Sequence, residues 1–329
     1  MCCLFGLLDY KQSLSLNQRK RILRTLSIAC EERGTDATGI SYFIGKQLSI
    51  QKAPRPAHRM KFRLPQDAHY IMGHTRMTTQ GAEGKNYNNH PFAGKVGGTS
   101  FALAHNGVIH NDKELQRTRN LAPTRIETDS YVAVQLLEQE ESLSFKSLKT
   151  MAEALRGSFT ITVLDHQNNL YIVKGNNPMC IFHFEKGFYL YVSTESILQK
   201  AVDQLGLAQA PHQVIQPDCG DILCIKPDGT METGYFDDTL CFPRFDYGMY
   251  LDYYYPYLTL RDFSTLPCKA EDQEDELLDD YAGISGLDRT TLQLLRDGGF
   301  EWLEIEEMIY DRELLAECVG DLQYEALCQ

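Results

Sequence analysis

Apolar stretches that stop on chemically equipped residues set the strongest constraint on what this chain can fold into. Four separated segments have that form. Cys2 stands ahead of Cys3-Leu4-Phe5-Gly6-Leu7-Leu8, which reads as a buried strand. Gly73-His74-Thr75-Arg76 closes a strand over 69–76. His105-Asn106-Gly107 closes another over 101–105. Glu127-Thr128-Asp129-Ser130 leads into an amphipathic helix over 129–139, with Val132, Leu136 and Leu137 on its apolar face. Each ending pairs a rigid element with a group that handles protons or binds charge.

The four endings together suit amide chemistry on a small zwitterion. Cys2 is small enough for the initiator methionine to be removed, which leaves a thiol and an α-amine on one residue. These titrate near ~8.5 and ~8 respectively, so a useful fraction of each is poised at neutral pH. Cys2 is then a nucleophile with its own proton carrier. Asn106 and Gly107 offer a side-chain amide and a backbone N–H to an oxyanion. The Arg76 fork fits a carboxylate, and Asp129 fits an ammonium. Each residue also has a plainer reading on its own. Cys2 fits a buried small hydrophobe, Asn106-Gly107 a tight turn, Asp129 a helix cap, and Arg76 a surface ion pair. His74 and His105 fit hydrogen-bonded structural histidines.

Charge divides the chain. Residues 237–329 carry 23 acidic and 6 basic side chains, within a total of −13 for all 329 residues. We therefore expect a domain over 1–236, a Tyr-rich and acidic connecting segment over 237–280, and a small helical unit over 281–329. Six tyrosines between 247 and 257 are core or interface candidates. The acidic end and the lack of a basic patch argue against nucleic acid. No apolar run approaches the ~20 residues of a membrane helix, and the first residues lack signal-peptide features. The ten cysteines show no compact CxxC pair, which suits buried thiols in a cytoplasmic protein and gives no sign of a metal or other cofactor.

Periodicity gives the elements between these points. A helix over 18–32 is expected behind an Asn17 cap, with Ile22, Leu23, Leu26 and Ala29 on one face. A hairpin joins 40–44 to 48–50, and loops cover 51–68 and 77–91. A short helix runs to about 119, Thr128 caps the helix over 129–139, and another helix covers 144–155. Strands follow at 158–164, 170–174, 179–184 and 188–192, then a helix over 196–205. A strand over 222–225 enters a hairpin turn at 227–230. Helices stacked against sheets, without strict βαβ alternation, is the architecture implied.

These segments resemble the class II glutamine amidotransferases, N-terminal-nucleophile (Ntn) hydrolases. The opening is similar to the family's Cys-Gly-Ile-Phe/Val-Gly, and Arg33-Gly34-Thr35-Asp36-Ala37-Thr38-Gly39 to its Arg-Gly-x-Asp turn. Gly73-His74-Thr75-Arg76, Asn89-His90-Pro91, His105-Asn106-Gly107 and Glu127-Thr128-Asp129-Ser130 match its later motifs in order. The resemblance covers about 2–236. It implies an α+β, four-layer αββα sandwich, here with the helical C-terminal appendage. It implies Cys2 as nucleophile, Asn106 and Gly107 as the oxyanion hole, Arg76 on the substrate α-carboxylate and Asp129 on the α-amine. Thr79, His90 and His105 are expected to line the substrate. The ligand implied is glutamine or a γ-glutamyl compound.

Two departures stand out. Cys3 replaces the family's usual glycine, but a strand should turn it away from Cys2. Met77-Thr78-Thr79-Gln80-Gly81 replaces the Trp-Ala-Thr-His-Gly of the glucosamine-synthesising branch. Residues 237–329 are too short for a sugar isomerase or phosphoribosyltransferase domain. Three readings follow. One is a glutaminase feeding ammonia to a separate synthase subunit. The second is a stand-alone Ntn amidohydrolase with another amide substrate. The third is a non-catalytic regulatory or scaffolding protein. Homo-oligomers fit any of them.

Overall fold

The computed structural model describes residues 2–241 and 287–298, with isolated positions at 300, 305, 315, 316, 318–320, 322 and 323. The chain divides into two compact units, Met1–Phe245 and Asp246–Gln329.

The first unit is a mixed α/β fold built on two antiparallel sheets. In chain order its elements are β1 (Cys3–Leu8), α1 (Leu16–Ala29), β2 (Ala37–Ile44), β3 (Gln47–Ala53), β4 (Tyr70–Arg76), β5 (Phe92–Val96) and β6 (Thr99–Ile109). They continue with α2 (Asp112–Thr118), α3 (Tyr131–Glu138), α4 (Phe145–Ala154), β7 (Gly157–Asp165), β8 (Leu170–Lys174), β9 (Cys180–Phe184) and β10 (Phe188–Val192). The last are α5 (Glu195–Leu205), β11 (His212–Ile215), β12 (Asp221–Ile225) and β13 (Met231–Tyr235). One sheet has the order β11-β9-β10-β1-β4-β2-β3, and the other β13-β12-β8-β7-β6-β5.

Alternation along the strands sorts the core into three apolar clusters. Cys3, Phe5 and Leu7 of β1 pack with Ile22, Leu23 and Leu26 of α1 and with Leu198 and Val202 of α5. Phe101 and Leu103 of β6 pack with Val132 and Leu136 of α3 and with Leu148 and Met151 of α4. The remaining faces meet each other. Leu4, Leu8, Met72 and Tyr191 of the first sheet share a cluster with Ala102, Ala104 and Ile172 of the second. A strand residue's parity therefore decides whether it faces a helix or the opposite sheet.

Most expected elements form within a residue or two, with instructive exceptions. Asn106-Gly107 is no turn. β6 runs straight through it to Ile109, pairing Asn106 with Thr160 and Gly107 with Phe159. Gly107 holds φ +141°, and a Cβ there would stand 2.0 Å from the Ser158 carbonyl oxygen, so a glycine is required. The cap of α1 is Ser15 and not Asn17: its hydroxyl accepts from Gln18 N, and Gln18 Oε1 accepts from Ser15 N. This capping box satisfies two otherwise orphaned donors, which a lone Asn17 would not. Nor does Thr128 cap α3, which starts behind Ser130 with no side-chain cap bond.

Three strands, β5, β11 and β13, escape the sequence reading. All three are sheet edges. An edge strand leaves one side to solvent, so its sequence need not alternate cleanly. In the second unit, Asp288 caps the helix Arg289–Asp297 by accepting from Thr291 N at 2.9 Å. Leu292 and Leu295 on that helix pack with Ile305. The tyrosine run, nearly all of the connecting segment expected over 237–280 and more than half of the helical unit expected over 281–329 lie outside the described residues.

Candidate active site

The polar strand endings meet at one rim of the layer between the sheets. Leu4 pairs with His74, and Leu4 faces the opposite sheet, so His74 and, two residues on, Arg76 face the same way. Parity puts Cys2 on that side as well, and puts Cys3 on the helix side with α1. From the second sheet, Asn106 shares the face of Ala102 and Ala104. Two hydrogen bonds span the layer. His74 Nε2 donates to the His105 carbonyl at 2.9 Å, and Asn106 Nδ2 reaches Ser193 Oγ at 3.5 Å. Ser193 also accepts from Leu4 N at 2.8 Å, so one hydroxyl ties the asparagine to the strand that carries the cysteine.

Cys2 is half-buried. Its thiol donates to the Met77 carbonyl at 3.4 Å, and its own carbonyl accepts from Arg33 Nε at 3.0 Å. Burial pushes the thiol up from its ordinary range. The Met77 contact and the Arg76 charge pull it down, and Asp129 pushes it up. Both charges expected of a zwitterion site thus act on the same sulfur.

Arg76 organises the loop that follows it. Its guanidinium donates to Asn89 Oδ1 at 2.7 Å and to the carbonyls of Gln80 and Gly81. Asp36 holds the start of the same loop: its carboxylate accepts from Thr78 N at 2.7 Å, and its N–H donates to the Arg76 carbonyl. Asp129 does not cap α3. Its Oδ2 accepts from Ile109 N at 2.6 Å and its Oδ1 from Ser130 Oγ, which also meets His105 Nδ1 at 2.8 Å. His105, Ser130 and Asp129 therefore form one chain of hydrogen bonds beside Asn106.

Three imidazoles lie behind this rim. The His90 ring sits 4.2 Å from His74 and 4.4 Å from Phe92, centre to centre, with both ring nitrogens buried and lacking a hydrogen-bond partner. Burial lowers all three. His74 falls to about 3, His90 lies well below its ordinary 6.5, and His105 is lowered although Asp129 opposes the shift. All three are neutral near pH 7. Lys52, held over the Phe92 ring and donating to the Pro91 carbonyl, is lowered by burial to about 8.

The structure thus gathers Cys2, Arg76, Asn106, Gly107, Asp129, His90 and His105 at or just behind one rim. Thr79 is exposed on the loop after β4 and is not drawn into the network. His105 faces α3 through Ser130, so its side chain braces the rim rather than lining it. The sequence reading missed Ser193 and Asn177, whose amide donates to the Asn106 carbonyl at 3.0 Å. Ser193 closes an apolar strand, and the rule that found Arg76 would have found it. Among the described residues no group of three or more His, Cys, Asp or Glu side chains is arranged to hold a metal ion. No helix among them is long and apolar enough to cross a membrane.

Two facing antiparallel sheets with a cysteine leading the central β1 define an Ntn-hydrolase-like arrangement. The comparisons agree. Residues 74–199 match the family described as the glutamine amidotransferase domain. A glutamine–fructose-6-phosphate aminotransferase (isomerizing) of Sulfurisphaera tokodaii is 26% identical over 243 residues, covering 69% of this chain and 40% of that protein. An amidophosphoribosyltransferase of Methanocaldococcus jannaschii is 29% identical over 240 residues, covering 69% of this chain and 49% of its own length. The chain therefore spans less than half of either relative. In fold it is similar to the glutamine phosphoribosylpyrophosphate amidotransferase of B. subtilis, with a TM-score of 0.58 and 19% identity over 73% of this chain and 50% of that one. The chain thus carries a glutamine amidotransferase domain of the N-terminal-cysteine type, related to the class II amidotransferases.

Proposed function

We propose that this protein is a cytoplasmic N-terminal-cysteine amidohydrolase that cleaves the side-chain amide of glutamine or of a γ-glutamyl compound. The observation that carries the reading is the Cys2 thiol at the rim, under the opposed influence of Arg76 and Asp129. We read the first unit as the four-layer αββα sandwich of Ntn hydrolases, because helices pack on the outer face of each sheet and the inner faces pack together.

In this mechanism Met1 is removed, and the freed amine of Cys2 takes the thiol proton. The thiolate attacks the γ-carbonyl. Asn106 Nδ2 and the Gly107 N–H hold the oxyanion, each supplying ~3 kcal/mol of stabilisation. The amine returns the proton to the departing nitrogen, and water then hydrolyses the thioester to glutamate. Arg76 takes the substrate α-carboxylate and Asp129 the α-ammonium. With glutamine the leaving group is ammonia, and a separate synthase subunit is its destination.

Glutamate and ammonia release by the purified chain tests the proposal, with intact mass to confirm loss of Met1. Cys2→Ala is expected to abolish turnover while leaving the melting temperature within a few degrees of the parent. Retained turnover in that variant would remove Cys2 from the reaction.

A further inference from the structure

One donor of the oxyanion site, the Gly107 N–H, belongs to the backbone and has no rotamer of its own. Its direction is that of its peptide plane. In a trans peptide the N–H and the preceding carbonyl point opposite ways, so whatever holds the Asn106 carbonyl also aims the Gly107 N–H. Gly107 sits at φ +141°, against about −140° in a regular antiparallel strand, which turns this peptide out of the ladder plane. Strand pairing alone holds a turned peptide poorly, because hydrogen bonds weaken as they leave alignment.

Asn177 supplies a further partner. Its Nδ2 donates to the Asn106 carbonyl at 3.0 Å. The backbone of Asn177 is itself tied to β7. Its N–H donates to the Phe159 carbonyl at 3.4 Å, and its carbonyl accepts from Thr160 Oγ1 at 2.6 Å. Beside it, Asn176 Oδ1 accepts from Phe159 N at 3.1 Å. Phe159 and Thr160 are the residues that pair with Gly107 and Asn106, so the amide is anchored directly across from the peptide it meets. A Cβ on Gly107 would stand 2.6 Å from Asn177 Nδ2, so the glycine also clears the way for this contact. With the carbonyl facing Asn177 on the β7 side, the N–H faces the other way. The neighbour there is β5, whose last pairing, Phe92 with Leu103, stops short of Gly107. The N–H thus points past the end of β5. Hydrogen bonds in series polarise one another, so a peptide whose carbonyl accepts a bond donates more strongly from its N–H.

We propose that Asn177 is a positioning residue for the oxyanion site: its amide holds and polarises the Asn106–Gly107 peptide so that the Gly107 N–H meets the tetrahedral intermediate. This rests on the function proposed above and adds to it a residue that acts through that peptide. Asn177 touches no reacting atom. Its effect belongs to the step in which charge builds on the γ-carbonyl oxygen, and not to substrate capture.

The test uses the full-length chain after Met1 removal, with glutamine as substrate. Asn177→Ala is expected to lower kcat by about tenfold, less than outright loss of an oxyanion donor, and to leave KM nearly unchanged. Asn177→Asp keeps the size of the side chain but turns an acceptor toward the Asn106 carbonyl, and should lose at least as much. In proton–nitrogen correlation spectra recorded without ligand, the Gly107 amide proton should move upfield in both variants. Parent-like kcat in an Asn177→Ala that melts like the parent would overturn the assignment, as would a loss confined to KM or an unmoved Gly107 amide. Should the alanine variant fail to fold, the isosteric Asn177→Asp carries the same three readouts. A parent chain that cleaves neither glutamine nor a γ-glutamyl amide would instead overturn the underlying amidohydrolase reading.

Discussion

The two ends of the layer between the sheets are built from the same strands and differ only in what the strands carry. At one end Leu8, Tyr70, Leu170 and Ile225 make an apolar contact between sheets. At the other, the same faces of β1, β4 and β6 arrive at Cys2, His74, Arg76 and Asn106. The backbone geometry is alike at both ends. The difference teaches that the apolar end holds the sheets together, and that this contact lets the rim carry unpaired buried polar atoms. His90, Asn106 Oδ1 and His105 Nε2 are among those atoms. Each unpaired buried polar group costs roughly 1–3 kcal/mol, a cost the rim could not offset without the core behind it.

The largest effect is expected at the rim. Asn106→Ala is expected to lower kcat for glutamine by about 10²-fold, near 3 kcal/mol, with little change in melting temperature. Steady-state kinetics beside a thermal melt check this, and a large loss of stability would make Asn106 a structural residue instead. The mirror experiment belongs to the apolar end. Leu8→Ala should destabilise the chain by about 3 kcal/mol through lost burial and a residual cavity, while kcat of the folded fraction holds. Urea unfolding followed by activity at low denaturant separates the two effects.

Acid sharpens the contrast by a smaller step. His74, His90 and His105 are held below their ordinary value, so the unfolded chain binds protons that the folded one refuses. Their contribution to stability is full above about 6.5 and is lost as pH falls, for His74 down to about 3. Each fully uncompensated proton removes ~1.4 kcal/mol per pH unit. The urea midpoint should therefore fall between pH 7 and pH 5, and His90→Phe should flatten that fall. The Leu8→Ala penalty should be the same at both pH values.

The motifs made much of the site legible because strand parity is local. Cys2, Arg76 and Asn106 could be read as strand endings, and the family resemblance gave them a shared purpose. The Asn-Gly pair misled, since its usual turn geometry yields here to nine continuous pairings between β6 and β7. Asp129 also looked like a cap. Its carboxylate goes instead to Ile109 N, a partner twenty residues back that no local rule would select.

The amino-acid sequence alone was enough for the helices and the inner strands, because periodicity acts over a few residues, but not for the edge strands or for where β6 ends. Only the tertiary structure decided which endings share a rim, that Ser193 joins Asn106 to β1, and that Asn177 meets the Asn106 carbonyl. The physical reason is register. Hydrogen-bonded pairing between strands distant in the chain sets those neighbours, and no single segment encodes it.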